Sequence, residues 1–549
     1  MPHRVLIADK VATEGLDLFK ARGIEFDEKF GLKEADLVAV AGDYDAIVCR
    51  SGIKVTKPVL EAAGKAGKLK AIARAGVGVD NIDLEAATSN GVLVLNTAEA
   101  STLSTAEHAL ALMMALARKI PAADAHVRSG QWKRNNYQGT QLAGKTLGVV
   151  GLGRIGRTVA TRALAMEMNV IGFDPFFPNP TALDGKVTLV RDFDEFLSKI
   201  DVITFHVPGG ADTKHLLNRE RLFNKCKPNL LVVNDARGEV LDEIALAEAL
   251  KAKKIAGAAV DVYATEPPQK DHPLFGCENA VLTPHLGAST DEAQQAVAVA
   301  ACEAIALFLS KGEIRGAVNA GGLKLDLPDD EACLATLAQR IGALLAGYHG
   351  DESFKTITVR MSGPKAKKLL PTLVKLAAVE LLSPRMTKGS VNLINVETIA
   401  KQRGIDLLQI EEPTPPQGMV GDIVGVRVAS ADNGDKPGET HRILGTCYAD
   451  RVPRVLRIDN YAMDMIPEGT MVLVENKDRP GVIGYLGNTF GDAGVNIADM
   501  VITRQKQDDG KFHALMVVKT DDEPAAEVLE KLRARDNILR VRVVKLPAR

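Results

Sequence analysis

The chain opens with short apolar runs separated by stretches of helical periodicity. RVLIA at residues 4–8 is followed by a helix from about Thr13, then AIVCR, a helix near Val59, LKAIARAG and GVLVLN. Brief apolar runs bounded by turn residues are the pattern of buried strands. Alternated with amphipathic segments, they predict parallel strands joined by crossover helices. Residues 1–98 therefore read as one α/β unit.

Next, Thr105 is placed to cap a helix in which Ala106 to Arg118 is apolar on nearly every side. Such a helix is expected to be covered all round, at a domain junction or between subunits. A polar loop, VRSGQWKRNNYQGTQLAGK, carries the only tryptophan, Trp132. A second α/β unit then begins: TLGVV (strand), GLGRIG (loop), RTVATRALAM (helix) and NVIGF (strand). DVITFHV, LLVVNDA, IAGAAVDV and AVLTPH follow as further strands. A last Ala-rich helix runs to about Leu309. Its apolar part, Val297 to Leu309, contains Glu303 and is shorter than the ~20 residues a membrane span needs, so it reads as a packed helix.

GGLKLDLPDD has the composition of a linker. Beyond it, DLLQIEEPTPPQGMVGD and SADNGDKPGET are turn-rich stretches among short strands and helices. The final segment alternates as strand (MVLVEN), helix (GVIGYLGNTFGDA), strands (IADMVITRQ, FHALMVVK), helix (PAAEVLEKLRAR) and strand (ILRVRVVKL). That β-α-β-β-α-β order is the ferredoxin-like split unit.

The 549 residues exceed one core and predict about three or four domains. Lys plus Arg is 68 and Asp plus Glu 70, a net charge of -2, so no global field favours nucleic acid or an anionic membrane as partner. The six cysteines, Cys49, Cys226, Cys277, Cys302, Cys333 and Cys447, are dispersed and form no CxxC. They read as reduced thiols, and with ten scattered histidines no metal site is expected. MPHRVLIADK lacks signal-peptide anatomy, which points to a cytoplasmic protein.

The chemistry concentrates in the second unit. Gly151, Gly153 and Gly156 lie between a strand and a helix. In a dinucleotide site the first permits a tight turn, the second admits the pyrophosphate, and the third lets the helix pack on its strand. The helix N-terminus then favours the anion. Asp174 ends the next strand, near the ~20-residue offset of a ribose-binding acid, and favours NAD over NADP. NDARGE, VYATEPP and LTPHLGAST each follow a strand and supply Arg237, Glu266 and His285. Arg237 can grip a carboxylate with its planar fork. His285 can take a hydroxyl proton near neutral pH, and Glu266 can stabilise the imidazolium.

GLGRIG, Asp174, NDARGE, VYATEPP and PHLGAST, in this order, resemble the D-isomer-specific 2-hydroxyacid dehydrogenase family over roughly residues 4–319. The resemblance implies catalytic roles for Arg237, Glu266 and His285. It implies nucleotide contacts at Arg154, Ile155, Asp174, Asp235, Ala236 and Asp261, and in the turn from His285 through Gly287 to Ala288. A phosphorylated substrate needs further cations. Arg50 and Ser51 in VCRSGIKV, Arg74 and the turn Gly76-Val77-Gly78, and Lys133 with Arg134 are the candidates. Val77 and Ala98 depart from the threonine and proline common in relatives.

ENKDRPGVIGYLGNTFGDAGVNIADM resembles an ACT regulatory domain. VNLINVETIAKQRGI and RVLRIDNYAMDMIPEGT resemble the intervening domain of the family's long-form members. The resemblance implies a substrate domain at 1–98 plus 286–318, an NAD-binding Rossmann domain at 99–285, an α+β intervening domain at 319–466 and an ACT domain at 467–549. It implies oxidation of 3-phospho-D-glycerate to 3-phosphohydroxypyruvate by a homodimer or homotetramer, at the start of serine synthesis. L-Serine is the implied effector, at Asn476, Asp478 and Asn496. The competing expectations are a glyoxylate or hydroxypyruvate reductase, and an NAD-sensing corepressor-like binding protein.

Overall fold

The computed structural model describes residues 3–323, 325–350, 353–387, 389–431, 438–507 and 510–546. Its first sheet is parallel throughout, in the order Glu25–Glu28, Arg4–Ile7, Ala46–Cys49, Ala71–Arg74, Leu93–Asn96. Ala46–Cys49 is buried at every position, as a strand covered on both faces must be. Leu6, Ile47, Ile72 and Val94 face the Lys57–Ala66 helix through Val59 and Leu60. Val5, Ile7, Val48 and Leu95 pack in the opposite layer with Phe19 and Ile305.

Ile305 belongs to the helix Asp291–Lys311, which returns from the second unit to the first. Among the described residues this helix alone is long and apolar enough to cross a membrane, and half of its most apolar window is buried within the protein. A Cβ at Gly15 would lie 2.8 Å from the Ala298 carbonyl oxygen, so the glycine permits this close crossing.

The second sheet has eight strands in the order Ala280–Leu282, Gly257–Val260, Leu231–Asn234, Val202–Phe205, Thr146–Val150, Asn169–Phe173, Val187–Leu189, Thr181–Ala182. Only its terminal hairpin is antiparallel. The chain leaves Thr146–Val150 first toward Asn169–Phe173 and later returns on the other side at Val202–Phe205. That reversal opens a crevice at the carboxyl ends of the strands.

The helix Thr102–Ala117 packs on this sheet beside Arg154–Ala165. It begins earlier than the sequence reading placed it. Thr105 is inside the first turn and donates to the Ser101 carbonyl rather than capping the helix. Within a single chain the helix is not covered all round: Leu103 is 60% and Met114 41% exposed.

The third sheet is mixed, in the order Asp406–Glu412, Thr356–Ser362, Ile423–Ala429, Thr440–Cys447, Pro453–Ile458, Tyr461–Met465. Two long helices, Asp329–His349 and Ala366–Leu382, share its core, where the sequence reading had only short elements. The first packs across Thr440–Cys447 and joins Cys333 to Cys447 in a disulfide. The expectation of six reduced thiols is therefore corrected. The two cysteines are 114 positions apart, and only tertiary packing reveals them as neighbours. Cys49, Cys226, Cys277 and Cys302 are free thiols.

The last sheet is antiparallel, in the order Ile497–Lys506, Phe512–Thr520, Thr470–Lys477, Ile538–Lys545. Its strands and the helices Val482–Asp492 and Ala526–Arg533 follow the β-α-β-β-α-β order read from the sequence. Val472 and Val474 face these helices, while Met471 and Leu473 join the core of the preceding domain. The strand's alternation thus binds the two C-terminal domains together.

Candidate active site

The three loop glycines have separate physical reasons. Gly151 has φ +88°, and a Cβ there would lie 2.6 Å from the His206 carbonyl oxygen. A Cβ at Gly156 would overlap the Gly151 carbonyl oxygen. Gly153 has no atom within 4 Å of its Cβ position, so a ligand can approach its backbone. The helix Arg154–Ala165 starts at that opening. Arg157 is the first residue whose amide bonds back, to Gly153 at 3.1 Å. The amides of Arg154, Ile155 and Gly156 precede the helix's own hydrogen-bond ladder and favour an anion. The Arg154 side chain pairs with Glu99.

Asp174 accepts hydrogen bonds from the amides of Leu152 and Phe176, both at 2.9 Å. Its carboxylate is thereby fixed beside the glycine loop. Arg191 lies close, but its guanidinium donates to the carbonyls of Asp174, Phe177 and Asn179. An open cradle, a helix N-terminus and an anchored acid fit a dinucleotide with a free ribose hydroxyl.

On the neighbouring strands, Asn234 orders the NDARG turn. It accepts from Ala236 N at 3.1 Å and donates to the Arg237 carbonyl at 2.9 Å. Asp235 is buried between them. Asp261 is fully buried and accepts from Thr283 Oγ1, Leu286 N and Gly287 N at 2.6, 2.8 and 3.0 Å. His108 Nε2 lies 3.1 Å from it. Burial pushes the Asp261 carboxyl up, but bonds from His108, Thr283 and Leu286 outweigh it and bring it to about 2. The following turn is braced by Gln294, which donates to the Ala288 carbonyl at 2.7 Å.

His285 is held at φ +56° by its amide bond to the Asp261 carbonyl at 2.8 Å. Its Nδ1 lies 2.8 Å from Glu266 Oε2, and Glu266 Oε1 accepts from Tyr263 N at 3.0 Å. Burial raises the Glu266 carboxyl, yet the bonds from His285 and Tyr263 leave it below the usual carboxylate range. Glu266 is therefore ionised at neutral pH. With Nδ1 committed to Glu266, Nε2 is the nitrogen available to a ligand.

Arg237 links this edge to the first sheet. Its Nε donates to Asp80 at 3.1 Å, its Nη1 to the Ala236 carbonyl at 2.7 Å, and Nη2 occupies the space a Cβ at Gly78 would need. Arg74 fills the corresponding space at Gly76. Thr97 holds that turn by accepting from Gly76 N at 2.8 Å. Burial lowers the Arg74 pKa, and repulsion from Arg237 and Arg50 lowers it further. Arg74 and Arg237 thus share the Gly76-Val77-Gly78 turn, and the Arg50 charge also acts on Arg74. Asp9 and Asn81 fix the Arg50 backbone, at 2.7 and 2.8 Å, and Ser51 beside it is exposed.

Lys133 and Arg134 are not gathered into this cluster. They lie in an exposed loop after the helix Ile120–Arg128, where Lys133 N bonds His126 at 3.1 Å. In the last sheet Asn476 is buried, with Nδ2 donating to the Lys477 carbonyl. Asp478 lies 3.4 Å from Arg504, and Asn496 donates to Asp521 at 2.7 Å. Asn476 and Arg504 both align with Ala514, whereas Ile497, next to Asn496, aligns with Thr520. Asn476 and Asn496 therefore occupy opposite ends of the sheet. Sequence reasoning missed His108, His206, Asp80, Thr97 and Thr283. His206 directly follows the Val202–Phe205 strand, so a search of every strand end would have found it.

Residues 110–287 match the D-isomer specific 2-hydroxyacid dehydrogenase NAD binding domain, residues 333–459 the D-3-phosphoglycerate dehydrogenase intervening domain, and residues 470–537 the ACT domain. D-3-phosphoglycerate dehydrogenases of Archaeoglobus fulgidus and Methanocaldococcus jannaschii are each 39% identical over 99% of this chain and 100% of their own length. The chain belongs to the D-3-phosphoglycerate dehydrogenase family. That of Bacillus subtilis is 36% identical over 99% of the chain and 100% of its own length. Among solved structures, the TT0316 protein of Thermus thermophilus is 36% identical with TM-score 0.53, covering 57% of this chain and 99% of its own. A glyoxylate reductase from Paecilomyes thermophila is 30% identical with TM-score 0.53, covering 58% and 98%. The chain is an NAD-dependent dehydrogenase of the D-2-hydroxyacid class with a C-terminal ACT domain.

Proposed function

We propose that the protein oxidises 3-phospho-D-glycerate to 3-phosphohydroxypyruvate, the first step of L-serine synthesis, and that serine feeds back through the ACT domain. The observation that supports the substrate assignment is the convergence of Arg237 and Arg74 on one glycine turn, with Arg50 close enough to act on Arg74. A simple hydroxy acid needs one such cation. A substrate carrying both carboxylate and phosphate makes use of all three.

In this reading Arg237 and the Gly76-Val77-Gly78 turn bind the carboxylate, and Arg74 and Arg50 neutralise the remaining charge. His285 Nε2 takes the proton of the C2 hydroxyl. Glu266, already ionised, stabilises the imidazolium through the 2.8 Å contact to Nδ1. A dinucleotide held beside His285 would supply the hydride acceptor. Gly151 to Gly156 and Asp174 hold the dinucleotide, with Asp235, Ala236, Asp261, Gly287 and Ala288 around its reactive end.

Lys133 and Arg134 are assigned to the active site of a second subunit. Exposed Leu103, Met114, Ile120, Val127 and Trp132 on the same stretch of chain support a homodimer at least. Asn476 and Asp478 of one copy with Asn496 of another would form the serine site, because two-fold pairing brings opposite ends of equivalent sheets together. The reading places this enzyme in the cytoplasm.

The test is NADH formation from NAD and 3-phospho-D-glycerate by the purified protein, with and without L-serine. Turnover on the phosphorylated acid and its suppression by serine are the expected results. Preference for glyoxylate in the reverse direction would overturn the substrate assignment.

A further inference from the structure

Asp235 and Asp261 follow adjacent parallel strands, Leu231–Asn234 and Gly257–Val260. Both side chains are fully buried. Their surroundings differ completely. Asp261 is satisfied by two amides, a hydroxyl and an imidazole. Neither carboxyl oxygen of Asp235 has a hydrogen-bond partner in another residue. A buried carboxylate without donors is costly, so such a group keeps its proton.

Among the charged and titratable neighbours Asp261 sets the same direction, and His108 opposes it more weakly. On one side is Asp261, whose ionised carboxylate repels a second negative charge. On the other is His206, with Nδ1 at 3.6 Å and Nε2 3.0 Å from Thr204 Oγ1. Burial drives the His206 imidazole down to about 3, so it is neutral and supplies no counter-charge. His108, on the helix Thr102–Ala117, is committed to Asp261. Arg237 is engaged with Asp80 and the Ala236 carbonyl. Glu266 and His285 pair with each other. Burial first, and Asp261 second, push the Asp235 carboxyl up to about 8.

Position gives this neutral acid its meaning. The His206 carbonyl abuts Gly151 of the glycine loop, while Asp261 carries the amides of Leu286 and Gly287 beside His285. Asp235 thus lies between the loop that receives the pyrophosphate and the histidine that faces the reacting carbon. A dinucleotide bridging those points carries its nicotinamide end past Asp235.

We propose that Asp235 is a charge-responsive positioning residue for the oxidised cofactor: its buried carboxyl is protonated in the empty site and releases that proton to solvent when the cationic nicotinamide of NAD binds. The oxidised ring brings one positive charge and the reduced ring none. Only the oxidised form repays ionisation of Asp235, so the group favours NAD over NADH as pH rises. His206 is the neutral wall that leaves Asp235 without a counter-ion until the cofactor supplies one. This inference rests on the NAD-binding domain and does not depend on which hydroxy acid is the substrate.

The experiment is calorimetric titration of the full-length protein with NAD and, separately, NADH, in two buffers of different ionisation enthalpy. A fractional proton release with NAD and little with NADH is expected near neutral pH. In Asp235→Asn the release should fall and NAD affinity should lose its pH slope, which approaches tenfold per pH unit where one full proton is released. Glu266→Gln should keep the release, which separates Asp235 from the His285 pair. If Asp235→Asn binds poorly overall, Asp235→Ala compared with wild type in NADH fluorescence reports whether the cradle is intact. Equal release by wild type and Asp235→Asn, or equal release with NAD and NADH, would overturn the proposal. Turnover on 3-phospho-D-glycerate is read in a separate assay, so failure of the substrate assignment would leave this result interpretable.

Discussion

The crevice of the eight-stranded sheet and the ends of the four-stranded ACT sheet handle dispersed residues in opposite ways. In the first, Arg237, Glu266 and His285 come from three different loops at one sheet edge, and Glu266 and His285 touch within one chain. In the second, Asn476 and Asn496 are separated by roughly 20 Å, the length of a six-residue strand segment. The cause is topological. Parallel strands joined by crossover helices deliver every strand-end loop to the same edge. Thr470–Lys477 and Ile497–Lys506 also run parallel through a crossover helix, but Asn476 lies at the end of the first and Asn496 before the start of the second, so they fall at opposite edges. Arg237, Glu266 and His285 can therefore be supplied by one subunit, with Lys133 and Arg134 assigned to a second, while the proposed effector site draws its two asparagines from different subunits.

The largest test of this contrast is His285→Ala. Loss of the base should lower kcat by roughly 10²–10⁴-fold while NAD affinity, read by fluorescence or calorimetry, stays near wild type. Mixing that variant with Arg237→Ala should restore no activity, because both groups serve the same chain's crevice. Recovery on mixing would show that the crevice is shared. Asn496→Ala should leave kcat near wild type and remove serine inhibition, a coupling of about 5–150-fold if it resembles typical allosteric effects. Here mixing with Asn476→Ala should restore part of the response, since one mixed interface keeps both groups. Complementation that never appears would place the effector site within one chain.

Effects on stability come next. Cys333→Ser removes a cross-link between residues 114 apart and should cost about 2–4 kcal/mol in the C-terminal half, measured by denaturation with and without reductant. Turnover should change little, since the disulfide is far from Arg237 and His285 in the fold. The smallest expected effect is on the empty crevice. The Asp235 carboxyl titrates near 8 when folded against an ordinary 3.8, so folding above the lower value takes up a proton and is disfavoured. Asp235→Asn should therefore raise the melting temperature by a few degrees at neutral pH. The gain should grow from about pH 4 upward and vanish below it. A gain that persists in acid would show that the effect is packing and not protonation.

Much of the dehydrogenase half was legible because its rules are local. GLGRIG needs glycines for backbone reasons, and NDARGE, VYATEPP and PHLGAST each follow a recognisable buried strand. The Cys333–Cys447 pair was not legible. One residue sits on a helix and the other on a strand, with most of a domain between them. The helices Asp329–His349 and Ala366–Leu382 were hidden for a related reason: they are apolar on much of their surface, and turn-rich segments on either side drew the reading toward short elements. Lys133 and Arg134 were expected to serve the substrate, and within a single chain they lie in an exposed loop outside the arginine cluster.

The sequence by itself determined the order of strands and helices in the two N-terminal units and the last domain, the glycine cradle with Asp174, and the chemical types of Arg237, Glu266 and His285. These depend on periodicity, turn conformation and side-chain chemistry, which act over a few residues. Only the tertiary structure decided that Arg74 and Arg237 share one glycine turn, that Asp235 is buried without a hydrogen-bond donor from another residue while Asp261 beside it has four, and that Asn476 and Asn496 lie at opposite ends of one sheet. Those facts depend on burial, register and strand direction, through which residues far apart in sequence come to share one electrostatic environment or are kept from it.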